Sequence, residues 1–112
     1  MRHLEEVISL LPELTRADLE RWIRDALIEA QDDGGSPHLS DVQFARVRLI
    51  CTLHYDMDVE QETLPVVLDL LDQLHDTRER LHTLSQAVLA QDEEVKAAVL
   101  QALSQARRAG GN

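Results

Sequence analysis

Aromatic residues are scarce: the 112-residue chain has one Trp, one Tyr and one Phe, 3% in all. It has four Gly and three Pro. Strands favour aromatic and β-branched side chains, so this composition favours helices over sheet. Cysteine is limited to Cys51, which excludes an internal disulfide and leaves nothing pointing to secretion. No apolar run reaches the length of a membrane span, and Arg2 and His3 are followed by Glu5 and Glu6, unlike a signal peptide. A cytoplasmic protein is expected.

Recognisable chemistry is also missing. Gly34–Gly35 has neither the lysine nor the spacing of a phosphate loop, and no Ser or Cys sits in a nucleophile motif. The histidines, His3, His38, His54, His75 and His82, form no compact ligand set. His75 and His82, with Asp72, Asp76 and Glu79 nearby, read as a solvated or seam-edge pair rather than a metal site. Cys51, between Ile50 and Leu53, reads as a buried structural thiol, since one sulfur is too few soft ligands for metal sensing. No catalytic residue, metal or cofactor is expected, and the protein is not expected to be an enzyme.

What the chain does have is acid. Its formal net charge is −10, which opposes binding to DNA phosphate or an anionic membrane and suits a basic protein partner. Solubility alone is the plainer account, and the two are compatible.

By length this is one domain with a modest core. Leu4, Val7, Ile8 and Leu11 have helical spacing up to Pro12. Thr15 with Asp18 reads as a capping box, opening an apolar stripe of Leu19, Trp22, Ile23, Ala26 and Leu27. Trp22 reads as core rather than as a ligand-stacking platform. Asp32, Asp33, Gly34, Gly35, Ser36 and Pro37 mark a turn-rich break. Ser40 with Gln43 is a second capping box, before a helix apolar enough to be central. Tyr55 to Thr63 interrupts the pattern, and Thr63 caps a helix whose first turn tolerates Pro65. Leu64, Val67, Leu71, Leu74, Leu81 and Val88 then follow a 3-4 heptad spacing, interrupted at Arg78 and Ser85. So long a stripe predicts a dimer seam in preference to a helix lying on its own domain. Asp92 caps a last helix with Val95, Ala98, Val99, Ala102, Leu103 and Ala106 on one face. Arg107 and Arg108 suit its end, and Gly110 and Gly111 terminate it.

Helix, turn, helix, break and third helix resemble the winged helix-turn-helix of MerR-type regulators. The segments are "LTRADLERWIRDALIEA", "LSDVQFARVRLICTLHYDMDV" and "LPVVLDLLDQL". The CbpM family of chaperone modulators is the closer match, through a segment similar to "VVLDLLDQLHDTRERL", and the resemblance spans roughly Leu4 to Leu84. The sequence departs from the pattern in three places. The wing reads "GGSPHL" where MerR-type wings carry Gly-Tyr-Arg; "EQETLP" replaces a Pro-Gly pair at the start of the long helix; and the last helix has no counterpart.

The resemblance implies an all-α protein: a MerR-like winged helix-turn-helix head over residues 1–62, then a long dimerisation helix and a short C-terminal helix over 63–112. It implies a non-enzymatic, homodimeric modulator that binds the J-domain of a DnaJ/CbpA-like co-chaperone. Such a modulator inhibits the partner's stimulation of a DnaK-type chaperone and can limit its DNA binding. J-domains use a basic helix face, so the expected contact surface is Asp56, Asp58, Glu60 and Glu62 with Asp69, Asp72 and Asp76. Leu64, Val67, Leu71, Leu74 and Leu81 are the expected dimer seam, and Leu19, Trp22, Ile23, Phe44 and Leu53 the scaffold core. The alternative is a MerR-type DNA-binding regulator, with Arg16, Arg21, Arg24 and Arg46 on phosphates.

Overall fold

The structure, a computed structural model, describes residues 1–32 and 34–110; Asp33 and Gly111, named above, fall outside the described residues. It contains a short strand β1 (Arg2–His3), helix α1 (Leu4–Leu10), helix α2 (Arg16–Arg24) and strand β2 (His38–Leu39). Helix α3 (Asp41–Cys51) follows and runs into a π-helical turn, Thr52–Asp56. Two long helices complete the chain, α4 (Leu64–Leu89) and α5 (Glu93–Gly110). The fold is therefore mostly helical but not purely so. β1 and β2 pair antiparallel, Arg2 opposite Leu39 and His3 opposite His38. A single bridge between Gln31 and His38 closes the loop before β2.

The chain divides into two compact units, Met1–Leu70 and Leu71–Asn112, so that the first turns of α4 belong to the first unit. The reason is visible at the start of α4. Leu64 and Leu68 are buried with the head core of Val7, Leu14, Leu19, Trp22, Ile28, Leu39, Val47, Ile50, Cys51 and Leu53. Leu64, expected in a dimer seam, is thus a core residue with no surface left to offer a partner. Of the expected scaffold core, Leu19, Trp22 and Leu53 are buried, while Ile23 and Phe44 are half-buried. The Arg2 guanidinium lies 4.2 Å over the Phe44 ring, which keeps that face partly covered.

Both predicted caps form, but neither box closes on itself. The Asp18 amide donates to Thr15 Oγ1 at 3.1 Å and the Gln43 amide to Ser40 Oγ at 3.2 Å. The return arms go elsewhere: Gln43 Oε1 accepts from the Glu29 amide at 3.0 Å, and Asp18 turns toward Tyr55 and Gln61. Both capping residues therefore join distant segments to their helix.

Helix α2 ends earlier than its apolar stripe suggests. Ala26 adopts φ of 62°, the left-handed conformation that usually calls for glycine. The Leu27 amide donates back to the Trp22 carbonyl at 2.9 Å, and the Ala26 amide to the Ile23 carbonyl at 3.1 Å, as in a Schellman motif. The reversal carries Ile28 into the core, and Arg46 Nε donates to the Leu27 carbonyl at 2.6 Å. Tertiary satisfaction of the released backbone groups outweighs continued helix here.

Candidate functional site: an acidic turn held by a polar latch

The segment between the π-helical turn and α4 carries Asp56, Asp58, Glu60 and Glu62, and all four are exposed. Among the described residues, none of the four has a cation within ion-pairing distance. Asp58 sits at φ of 57°, a left-handed conformation that Asp and Asn tolerate better than most residues. The turn closes through backbone bonds from the Thr63 amide to the Glu60 carbonyl, 2.9 Å, and from the Val59 amide to the Leu53 carbonyl, 2.9 Å.

A side-chain network behind the turn fixes it to α2. Trp22 is fully buried, and its Nε1–H donates to Gln61 Oε1 at 2.8 Å. The Gln61 amide nitrogen donates to Asp18 Oδ1 and to His54 Nε2, each at 3.2 Å. His54 Nδ1 donates to the Val59 carbonyl at 2.7 Å, which leaves Nε2 as the acceptor that Gln61 requires. The Tyr55 hydroxyl donates to Asp18 Oδ2 at 2.5 Å. Every hydrogen-bonding atom of Gln61 is used, so the network permits one arrangement of the amide. The π-helical turn is what presents His54 and Tyr55 to Trp22, with ring centroids 6.2 Å from the Trp22 ring in both cases. Burial first, then the bond to Asp18, pushes the Tyr55 hydroxyl up to about 12.

The other expected contact residues divide between the units. Asp69 is exposed on α4 within the first unit, and Asp72 and Asp76 are exposed on the same helix within the second. Of the expected seam, Val67 and Leu71 are half-buried, while Leu74 and Leu81 are 47% and 62% exposed. The arginines of the DNA-binding alternative are largely occupied. Arg16 bonds Glu5 and lies 3.8 Å from Glu20; Arg21 lies 3.8 Å from Asp25; Arg46 is held by the Leu27 carbonyl. Arg24 is exposed. Phosphate contacts would have to displace these internal partners.

Cys51 is buried, and burial first, then Glu13, Asp18 and Asp56, pushes its thiol up to about 11, which suits a structural role. Among the described residues no group of three or more His, Cys, Asp or Glu is placed to hold a metal, and no helix is long and apolar enough to cross a membrane.

Gln61, the hub of the latch, was not legible in the sequence, because its partners lie up to 43 residues away. Only the unusual density of hydrogen-bonding side chains near the single Trp and Tyr could have suggested it. No protein-family model, curated protein or solved structure matches the chain.

Proposed function

We propose that the chain is a non-enzymatic modulator that masks the J-domain of a DnaJ-type co-chaperone, in the manner of the CbpM family it resembles. The head is read as a MerR-like winged helix-turn-helix frame, and the working form as a homodimer in the cytoplasm. One observation carries the reading: four exposed carboxylates stand on a turn whose underside is locked by Gln61, Trp22, Asp18 and His54. Preorganised charge loses little freedom on binding, which favours capture of a basic helix face. A net charge of −10 supplies long-range attraction to such a face.

The test is the ATPase activity of a DnaK-type chaperone stimulated by its J-domain partner. Adding the chain suppresses the stimulated activity and leaves the basal activity unchanged. Unaltered stimulation at a saturating concentration of the chain would refute the proposal.

A further inference from the structure

Helix α3 has a second apolar face. Val47, Ile50 and Cys51 turn one side of the helix into the core and are buried. Val42, Ala45 and Leu49 stand on the opposite side, and all three are exposed, Val42 to 74%. A helix with one side on the core ordinarily shows charged and polar residues on the other. This one instead carries a stripe of 3-4-3-4 spacing, Val42, Ala45, Leu49, Thr52 and Asp56, which runs roughly 20 Å into the acidic turn. Two hollows of about 430 and 250 Å³ share Ala45 and Leu49, so they form one groove along the stripe.

The ends of the groove are acidic. Glu29 lines the first hollow, and Glu13 and Asp56 line the second. Among the described residues, none of the three has a cation within ion-pairing distance. The cations of the lining are Arg46, whose Nε is spent on the Leu27 carbonyl, and Arg48.

We infer that this groove seats a basic helix of the protein partner. An apolar floor with acidic ends fits Lys and Arg side chains spaced one turn apart. Their methylene stems cover the apolar floor while their charged heads reach the carboxylates. The stripe is as long as about four turns of helix, and Asp56 belongs to both the groove and the turn, so one helix engages both. A second copy of the chain would bring a net charge of −10 to acidic rims, which disfavours it as the occupant. The inference rests on the basic partner proposed above, and it adds the part of the contact that salt does not screen.

Methyl spectra of the full-length chain, titrated with the isolated J-domain of a DnaJ-type co-chaperone, test it. The Val42 and Leu49 signals shift on binding. Those of Leu81 and Leu100, which are 62% and 64% exposed in the second unit, stay in place. The double variant Val42→Gln/Leu49→Gln binds roughly tenfold more weakly, with the wild-type salt dependence and urea midpoint. The spectra are of the wild-type chain, so they decide the matter even where the variant fails to fold. Binding that leaves Val42 and Leu49 unmoved overturns the inference and leaves the masking of the J-domain standing. Undiminished affinity in a folded double variant does the same. Shifts of equal size at Leu81 and Leu100 mark general stickiness and overturn it. Shifts at Val42 and Leu49 on concentrating the chain alone put a second copy in the groove and overturn it. Absence of binding at micromolar concentration overturns both this inference and the proposed function.

Discussion

Replacing Gln61 with leucine tests whether the latch holds the acidic turn. Leucine keeps most of the side-chain volume and removes all three hydrogen bonds at once. Trp22 has no exposed surface, so water cannot replace the lost acceptor for its Nε1–H. An abandoned buried donor costs about 1–3 kcal/mol, and each bond to a half-buried partner adds about 0.5–1.5 kcal/mol. Asp18 retains Tyr55, which limits its share. The expected total is about 2–4 kcal/mol, equivalent to a fall in melting temperature of roughly 10 °C or more for a unit of this size. The chain has a single tryptophan, and it is in the network, so urea unfolding followed by its fluorescence reads the right event. Amide exchange from Val59 to Thr63 accelerates in the same variant. The charged analogue sharpens the test. Gln61→Glu keeps an acceptor for Trp22 but sets a carboxylate beside Asp18, so its deficit is greatest at neutral pH and shrinks as the pH is lowered. A Gln61→Leu chain within about 0.5 kcal/mol of wild type, with unchanged exchange in the turn, would refute the reasoning.

Three further outcomes follow from local geometry. Ala26→Gly relieves a left-handed alanine costing about 1–2 kcal/mol, offset by glycine's entropy of about 0.5–1 kcal/mol, so urea unfolding shows a gain of about 0.5–1 kcal/mol. Tyr55 is the single tyrosine, so absorbance at 295 nm shows one titration near pH 12 in the folded chain, against 10 for the free side chain. Because the folded value is raised, the stability linked to this proton is intact below pH 10 and is lost as the pH rises toward 12; Tyr55→Phe removes that part of the alkaline loss. The Cys51 thiol, pushed up to about 11 by burial, reacts with a disulfide reagent at pH 8 far more slowly in the native chain than in urea.

Elements governed by neighbouring residues were legible in the sequence. The caps at Thr15, Ser40 and Asp92 act across three residues, and in each the side-chain oxygen accepts from the amide three residues on, although the return arms expected of the boxes at Thr15 and Ser40 are spent on distant segments. Trp22 sits at the centre of a stripe with helical period and is buried. The acidic residues of the turn are exposed, as charge without apolar spacing implies. Elements set by distant partners were not legible. The end of α2 at Ala26 depends on Arg46 and Gln43 receiving the released backbone groups of Leu27 and Glu29. Strand β1 is two residues long and exists only because β2 lies beside it. Leu64 keeps heptad spacing with Leu71 and Leu74, so periodicity cannot reveal that it packs in the head while Leu74 faces outward. The π-helical turn has no spacing signature, and with it the His54–Gln61 contact was hidden.

The most direct test of the central claim is calorimetric titration of the full chain with the isolated J-domain of a DnaJ-type co-chaperone. The wild-type chain is predicted to bind at micromolar concentration, more weakly as salt is raised. Asp58→Asn with Glu60→Gln and Glu62→Gln removes three charges and suits the left-handed backbone at residue 58. It is predicted to weaken binding roughly tenfold, with a shallower salt dependence and unchanged unfolding. Absence of binding at micromolar concentration, or equal affinity for the wild-type and neutralised chains, would contradict the account.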